Sequence, residues 1–423
     1  MAIPDTDRLV TWRRTFHRYP EPSWCEFYTT VRIVEELESM GVEEVYVGPE
    51  AIDSSARLGV PDEETRSYWY EKAKSKTDRM DVLERLEGGN TGVVAVVSNG
   101  SGPTVGLRVD IDALPITEAT GEDHLPAVEG FRSENEGTMH ACGHDAHITF
   151  GLATLETVLE SDFEGTFKVF FQPAEEVLGG GKPMAATEHV SDVDFFYGVH
   201  VGLGHSTGEV VPGFDEALAI TQFEFDIRGD SAHAGLAPQE GRNAVQALGT
   251  SVVNLYGLPR HRDGATRVNV GNLHSDNPSN IVADRASAAA EVRGETTEIM
   301  EYMRDRAFDT VEQASDMHGC DVEIEINGQA PREDSDEELV DLGVQVARQV
   351  DGVESIVRRA PVGASEDVTY LMQAVKERGG KASFVAIGTD YPSGHHTPRF
   401  DVDEDSLPIG VGVLSGMARS LLD

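Results

Sequence analysis

Short apolar runs alternate with helical segments along the first half of the chain. The apolar runs are TGVVAVVSNG at 91–100, TVGLRVDIDAL at 104–114, FKVFFQPAEE at 167–176 and FFYGVHVG at 195–202. Each run has the length and composition of one buried strand. Amphipathic helices are predicted over 8–40, with a break near 19–22, and over 146–160. This alternation is typical of a mostly parallel α/β sheet, in which ligand groups gather at the carboxyl ends of the strands.

The pattern changes at about residue 216, where polar and apolar positions begin to alternate strictly. The strands predicted by this alternation are 220–229, 266–276, 286–296 and 320–329, and the helices between them are 240–257 and 297–319. We interpret 216–330 as a compact α/β lid inserted into a first domain that comprises 1–215 and 331–423. The predicted fold class is α/β, with a mixed, mostly parallel sheet in the first domain.

The amino-acid composition gives the chain a strong negative charge. The chain has 75 acidic and 34 basic side chains among 423 residues, a formal net charge of -41. Such a surface repels nucleic acid and anionic lipid, so neither is an expected partner. The acidic residues are dispersed among patterned strands, which argues against an acidic tail or disorder and favours a surface adapted to a salt-rich cytoplasm.

Cysteine usage and hydropathy indicate the compartment. Cys25, Cys142 and Cys320 are odd in number and far apart, which is typical of a reducing cytosol and not of a disulfide framework. No apolar stretch approaches the ~18 residues of a membrane span, and the first residues lack the pattern of a signal peptide. We therefore expect a cytoplasmic protein without a membrane partner.

The segment MHACGHDAH at 139–147 is the first candidate for a metal site. Cys142 and His144 lie two residues apart, so in extended backbone both side chains point to the same side. Thiolate and imidazole groups are good ligands for zinc and similar metals. The alternative, a loop in which these residues occur together by chance, is disfavoured by the number of ligand types in nine positions.

Carboxylates follow two of the predicted strands. Glu175 and Glu176 stand where one strand ends, so one can bind metal while the other transfers a proton. The alternative is a solvated helix start with acids in its first turn. Asp110 ends another strand and can orient a ligand histidine through a hydrogen bond, although a turn or N-cap carboxylate is an equally good interpretation.

Each of the remaining candidate site residues is weakly supported when it is considered alone. His200 ends an apolar strand, where a lone histidine is more often structural, and His396 lies in the segment GHHTPRFD, which also fits a surface loop. In the lid, His233 lies between small residues, and Arg293 can grip a carboxylate or form a surface salt bridge. The metal-site hypothesis depends on the whole set of one cysteine, several histidines and a carboxylate pair at strand ends, which suffices for two metal ions.

Five motifs, in this order, resemble those of the co-catalytic metallopeptidase and amidohydrolase family. They are MHACGHDAH, FQPAEE, GVH, SAHAG and HHTPRF, and the resemblance covers nearly the whole chain. It implies a metal-binding catalytic domain with an inserted lid that often dimerises. It implies two divalent ions, zinc or manganese, with the ligands Cys142, His144, Glu176, His200 and His396. It also implies Glu175 as general acid and base, His233 as the stabiliser of the oxyanion, and Asn280 and Arg293 as substrate-binding residues.

One branch of that family, which hydrolyses p-aminobenzoyl-glutamate, is more similar still. WRRTFHRYPEPSWCEF, SSARLGVPDEET, ERLEGGNTGVVA and TRVNVG carry this likeness, and the polar segment 51–90 is longer than in typical aminoacylase-like members. The implied reaction is hydrolysis of the amide bond of an N-acyl amino acid by a homodimer, or by this chain paired with a related second subunit. The alternatives are a broad N-acyl-amino-acid or auxin-conjugate amidohydrolase and a non-catalytic binding subunit of the same fold.

We predict that the stability of the protein rises with salt. Screening by potassium chloride weakens the self-repulsion of a chain with a net charge of -41. The melting temperature should therefore increase between low and molar salt. A melting temperature that stays flat or falls over that range contradicts halophilic adaptation.

Overall fold

A computed structural model describes residues 4–391 and 393–423. These residues divide into two compact units. The first unit comprises residues up to 216, 333–362 and 366–423, and the second comprises 217–332 and 363–365. The three residues 363–365 thus cluster with the second unit, although the sequence analysis assigned them to the first domain.

Fourteen strands are present in the described part of the chain. In chain order they are β1 Glu44–Val47, β2 Val93–Asn99, β3 Thr104–Asp110, β4 Gly165–Gln172, β5 Phe195–Val201, β6 Glu209–Val211, β7 Gly213–Asp215, β8 Ala219–Arg228, β9 Thr266–His274, β10 Arg285–Gly294, β11 Asp321–Ala330, β12 Ser355–Ile356, β13 Arg359–Pro361 and β14 Lys381–Ile387.

Twelve α-helices connect and cover the strands in the same described part. They are α1 Thr6–Arg18, α2 Phe27–Ser39, α3 Glu63–Lys74, α4 Met80–Leu83, α5 Leu125–Glu129, α6 His144–Leu159, α7 Gly181–Ala185, α8 Ala244–Tyr256, α9 Thr297–Met317, α10 Glu337–Ala347, α11 Thr369–Glu377 and α12 Ser406–Leu422. No described helix combines the length and the apolar character that crossing a membrane would require.

An eight-stranded mixed sheet forms the centre of the first unit. Its strand order is β1-β2-β4-β3-β5-β14-β6-β12. The four central strands β4, β3, β5 and β14 are mutually parallel, whereas β1, β2 and β6 join antiparallel. The predicted α/β class with a mostly parallel sheet is therefore confirmed. Because parallel strands end at the same edge, the residues after β3, β4 and β5 share one side of the sheet.

The core of the first unit lies between this sheet and its helices. α6 is buried along almost its whole length and packs on α1, α12 and β3. Its residues Ile148, Leu152 and Leu155 are fully buried together with Leu107 and Val109 of the sheet. Burying aliphatic side chains of this size stabilises the fold by about 1.5–3 kcal/mol each. The helix that begins at His144 is thus fixed against the sheet.

The second unit is an antiparallel four-stranded sheet with two helices. The strand order is β11-β8-β10-β9, with every pairing antiparallel. Alternation along β8 buries Phe223, Phe225 and Ile227, which pack with α8 and α9 on one face of the sheet. The alternating pattern in the sequence reflects this one-sided core.

Candidate metal centre

Three neighbouring strands and one helix position the predicted site residues of the first unit, apart from His396, which lies outside these elements. In the sheet, Asp110 at the end of β3 is directly opposite Gln172 at the end of β4. β4 runs into Glu175 and Glu176, and β5 carries His200 next to its last residue. Gly143 precedes α6 with a φ of 85°, and a Cβ there would lie 2.3 Å from Cγ2 of Val201. Glycine at this position therefore allows Cys142 and His144 to approach β5.

The predicted ligand set converges within the first unit. Potential ligand atoms lie within 4.8 Å of one another in four groups, which together contain all five predicted ligands and Glu175. The groups are Cys142 with His144 and His200, Cys142 with Glu176 and His396, His144 with Glu175 and Glu176, and Asp110 with His144 and His147. A mixture of sulfur, nitrogen and oxygen donors is the set that zinc and similar divalent ions prefer.

Two buried polar atoms in this cluster lack hydrogen-bond partners among the described residues. They are Nε2 of His144 and Oε1 of Glu176, which lie 3.7 Å apart. The second oxygen of Glu176, Oε2, is 3.4 Å from Nε2 of His396. Leaving a buried polar atom unsatisfied costs about 1–3 kcal/mol, so each such atom requires a partner. A divalent cation held between these donors would satisfy both atoms, and the residues present therefore fit a metal site.

Backbone carbonyls fix the orientation of two of the histidines. Nδ1 of His200 is 2.8 Å from the carbonyl oxygen of Val201, and Nδ1 of His144 is 2.9 Å from that of Asp112. A carbonyl only accepts, so in each ring Nδ1 carries a hydrogen, and Nε2 is the nitrogen that a metal ion could take. Nε2 of His200 then lies 3.5 Å from Sγ of Cys142. Both Nε2 atoms face the donor cluster.

Asp110 hydrogen-bonds a histidine that sequence reasoning did not select. Its Oδ1 accepts from Nδ1 of His147, whose Nε2 in turn accepts from the amide of Val201 at 2.9 Å. Both nitrogens of His147 are thereby engaged, so this ring supports the cluster instead of offering a free donor. The ring lies stacked on that of His144, with centroids 5.2 Å apart. His147 could have been selected from the sequence, because it lies three residues after His144 and residues three apart on a helix share a face.

Asp112 holds the backbone of the carboxylate pair, a role that sequence reasoning also missed. Its Oδ1 accepts from the amide of Glu175 at 3.1 Å, and its Oδ2 accepts from the amide of Glu176 at 3.0 Å. Oδ2 also accepts a hydrogen bond from the hydroxyl of Ser23 at 2.7 Å. The two glutamates are therefore positioned through their main chain by a residue from the neighbouring strand end.

The first turn of α6 is anchored by a buried ionic network outside the donor cluster. Oδ2 of Asp145 accepts from Nε of Arg13 at 2.8 Å and lies 2.9 Å from Nδ1 of His17. Nε2 of His17 is 2.9 Å from Oε1 of Glu118. Burial lowers the pKa of His17, but the two carboxylates outweigh burial and raise it to about 9. The protonated His17 thus ties α1 to the helix turn that carries His144.

Carboxylates are in excess at the centre, and their pKa values reflect this. Burial and the charges of Glu366 and Asp367 raise the pKa of Glu175 well above its usual range. Burial is also the main cause that raises the pKa of Glu176 to about 8. Burial lowers the pKa of His144, but Asp110 and neighbouring carboxylates raise it to about 10. A divalent cation would offset this concentration of negative charge.

In the second unit, the candidate residues His233 and Asn280 lie in exposed segments outside the sheet, whereas Arg293 lies in β10. His233 is exposed, and its Nδ1 accepts from the amides of Gly235 and Leu236 at 3.2 and 3.1 Å. Ala234, the residue after His233, donates its amide hydrogen to the carbonyl oxygen of Asn280. The structure thus brings His233 and Asn280 together.

Arg293 has a carboxylate partner within its own strand. Its Nε donates to Oε1 of Glu291 at 2.9 Å, and its Nη1 donates to the hydroxyl of Ser365 at 3.4 Å. The salt bridge that the sequence analysis kept as an alternative for Arg293 is therefore present. To receive a substrate carboxylate, this guanidinium has to share or exchange its bond to Glu291.

We predict that Cys142→Ala weakens the binding of divalent metal. Loss of a residue that only supports a ligand costs about 10- to 100-fold in metal affinity, so loss of the thiolate itself should cost at least as much. Cys25→Ala and Cys320→Ala are matched controls, because both remove buried thiols that belong to none of the donor groups in the described residues. Metal titration of the three variants checks this, and equal losses would contradict the assignment of Cys142.

The comparison with protein families agrees with the motifs. Residues 106–420 match the model of peptidase family M20/M25/M40. One of the subunits of p-aminobenzoyl-glutamate hydrolase from Escherichia coli K12 is 39% identical over 416 residues, which cover 97% of this chain and 95% of that protein. The indole-3-acetyl-aspartic acid hydrolase of Enterobacter agglomerans is 38% identical over 412 residues, covering 96% of this chain and 94% of that protein. The family resemblance of the sequence is confirmed.

Among solved structures, an aminobenzoyl-glutamate utilization protein from Klebsiella pneumoniae is similar over nearly its whole length. The TM-score is 0.84 at 33% sequence identity, and the match covers 98% of this chain and 95% of that one. The likeness therefore extends over both compact units.

Proposed function

Because this chain belongs to peptidase family M20/M25/M40, we propose that it hydrolyses the amide bond of an N-acyl amino acid. The proposed substrates are aryl-acyl conjugates, p-aminobenzoyl-glutamate first among them, and the products are the free acid and the free amino acid. Two relatives support this class of substrate, since their names specify conjugates of glutamate and of aspartate. The likeness of the segments 54–65 and 84–95 to one branch of the family favours the glutamate conjugate.

The observation that carries the proposal is the contrast between Glu175 and the donor cluster beside it. Cys142, His144, Glu176, His200 and His396 would hold two divalent ions, zinc or manganese, and their atoms already converge. When bound, such ions lower the pKa of water and polarise the amide carbonyl. Glu175 lies next to this set, with its amide held by Asp112 and its side chain buried.

Glu175 fits the role of general acid and base better than Glu176 does. Both oxygens of Glu176 face nitrogen donors of the cluster, His144 on one side and His396 on the other. Glu175 belongs to only one of the four donor groups, whereas Glu176 belongs to two. Burial raises the pKa of both carboxyl groups, and the carboxylates of Glu366 and Asp367 raise that of Glu175 further. A carboxyl group whose pKa lies close to the working pH both takes a proton from water and returns it to the leaving nitrogen. Bound cations would lower its pKa from the raised value towards that range.

We propose that the second unit is a lid that also forms the contact between subunits. His233 would stabilise the oxyanion, and Asn280 and Arg293 would bind the substrate. Val245, Val253 and Tyr256 of α8 have exposed fractions of 45%, 72% and 47%. Exposed apolar residues on one helix of a soluble domain favour a protein partner. The partner is a second copy of this chain or a related second subunit, since the relative from Escherichia coli is itself named as one subunit of its enzyme.

A broader N-acyl-amino-acid or auxin-conjugate amidohydrolase is the second candidate function. It is supported by the hydrolase of indole-3-acetyl-aspartic acid, whose identity to this chain is only one percentage point lower. A non-catalytic subunit is disfavoured because the ligand set and the candidate base are all present. The three free, buried cysteines agree with the proposed cytoplasmic location.

A hydrolysis panel in high salt tests the proposed substrate class. The metal-replete protein is assayed with p-aminobenzoyl-glutamate, hippurate, indole-3-acetyl-aspartate and aliphatic acyl-amino acids. We expect cleavage of p-aminobenzoyl-glutamate with the highest kcat/KM. Good cleavage of aliphatic conjugates without cleavage of p-aminobenzoyl-glutamate would contradict the narrow assignment and leave the broader one.

Glu175→Gln should retain fold and metal but lose about 100- to 10,000-fold in kcat, the usual contribution of a positioned general acid and base. Glu176→Gln, which changes the adjacent carboxylate, should instead lose metal affinity. Both variants are characterised by bound metal per chain and by turnover. Equal metal loss in the two variants would show that the roles are not divided in this way.

A further inference from the structure

The long polar segment of the sequence lies at the same edge of the sheet as the metal centre. It leaves β1 after Val47 and enters β2 at Val93, and these two residues are paired with each other. Val93 is also paired with Phe171 of β4, five positions before Glu176. The inserted segment 48–92 therefore begins and ends beside the strand end that carries the catalytic carboxylates.

This inserted segment contacts the turn that follows those carboxylates. The carbonyl oxygen of Leu58 lies 2.3 Å from the position that a Cβ on Gly179 would occupy. The same oxygen accepts a hydrogen bond from Nε1 of Trp24 at 2.7 Å, and the indole is buried. Gly179 is three residues after Glu176, so the loop around Leu58 packs directly on the turn of the site.

Two arginines of the inserted segment share one acceptor. Nη1 of Arg57 and Nη1 of Arg66 both donate to the carbonyl oxygen of Gly88, at 2.9 and 2.8 Å. Their remaining hydrogen bonds also go to carbonyl oxygens, those of Ser54, Pro61 and Asp62. Within residues 4–391 and 393–423 neither guanidinium forms a salt bridge with a carboxylate, and neither Nη2 atom donates a hydrogen bond.

Such a pair is unexpected in a chain with 75 acidic and only 34 basic residues. The guanidinium of Arg57 lies over the ring of Trp24, 5.4 Å from its centroid. Burial lowers the pKa of Arg57, and the nearby charge of Arg66 lowers it further, as expected of two neighbouring cations that repel each other. Repulsion of this kind is relieved when an anion binds to both groups.

A pair of glycines makes the close approach of the two arginines possible. Gly88 and Gly89 both have a φ of 78°. A Cβ on Gly89 would lie 2.7 Å from the carbonyl oxygen of Trp24 and 3.1 Å from Cδ of Arg66. The left-handed turn and the close contacts together favour glycine at this position.

We propose that Arg57 and Arg66 form the subsite for the second carboxylate of the substrate, the side-chain carboxylate of an acidic amino acid. This inference rests on the proposed function. It explains how a chain with a net charge of -41 attracts a doubly charged conjugate, because two paired guanidinium groups act at short range, where salt screens little. Selection of an acidic amino acid also agrees with the glutamate and aspartate conjugates named for two relatives.

One side of the arginine pair is unsuitable for a carboxylate. A cavity beside Arg66 is lined by Glu63, Glu71 and Glu87 and does not include Arg57. These acidic side chains would repel a carboxylate. We therefore place the proposed subsite on the side of Arg57, which is adjacent in sequence to Leu58, the residue that packs on the turn of the site.

The test compares two substrates that differ only in this charge, p-aminobenzoyl-glutamate and p-aminobenzoyl-glutamine. Wild-type protein, Arg57→Gln, Arg66→Gln and the double variant are assayed in high salt, each after its melting temperature and metal content have been measured. The matched control is Arg348→Gln, which changes an exposed arginine that has no salt bridge in the described residues. Arg57→Lys keeps the charge without the two-pronged geometry and replaces Arg57→Gln if that variant does not fold.

We expect Arg57→Gln to raise KM for the glutamate conjugate about 10-fold or more, as loss of a charged hydrogen bond does. The KM for the glutamine conjugate should change less than about 2-fold, and Arg348→Gln should change neither. Equal changes for both substrates, or no change for either, would overturn the inference while the proposed function stands. If the wild-type protein cleaves neither conjugate, the proposed function is wrong, and the inference that rests on it is wrong as well.

Discussion

The excess of buried negative charge at one edge of the central sheet is the constraint on which the site depends. Asp110, Glu175 and Glu366 are buried there, and Arg108 is the buried cation that hydrogen-bonds Asp110 and Asp367. One guanidinium does not balance so many carboxylates, and burial raises the pKa of Glu366 to about 7. Charges held in this way cost several kcal/mol each unless they are paired. Divalent cations held by this donor cluster would provide that pairing, and the same ions would supply the Lewis acidity that amide hydrolysis requires.

The arrangement of donors is set by the backbone at least as much as by side chains. The peptide of Val201 accepts from His200 through its carbonyl and donates to His147 through its amide. Asp112 holds the amides of both glutamates. Behind this layer, Arg13 and His17 of α1 bind Asp145, the residue after His144. Strand ends, one helix turn and one buried ionic network thus form a continuous support for the proposed metal ligands.

The sequence predicted most elements of the fold and a set of candidate ligands whose atoms converge, but it did not predict the contacts that support them. Cys142 and His144 were candidate ligands because they stand in one short segment, whereas His200 and His396 became well-supported candidates only through the ordered family motifs. The supports were missed because they are tertiary: Ser23 reaches Asp112 across 89 positions, and Arg13 reaches Asp145 across 132. Local patterns carry no information on such pairs. The Glu291 and Arg293 pair was accessible in principle, since residues two apart on a strand share a face.

Metal-dependent turnover is the most direct test of the central claim, that this donor cluster holds two divalent ions and that Glu175 acts beside them. The protein is stripped with a chelator in high salt and titrated with zinc or manganese, while bound metal and hydrolysis of p-aminobenzoyl-glutamate are followed together. The account predicts no activity without metal, saturation at two ions per chain, and the same metal stoichiometry without turnover in Glu175→Gln. Full activity in the stripped protein, or saturation at a single ion, would contradict it.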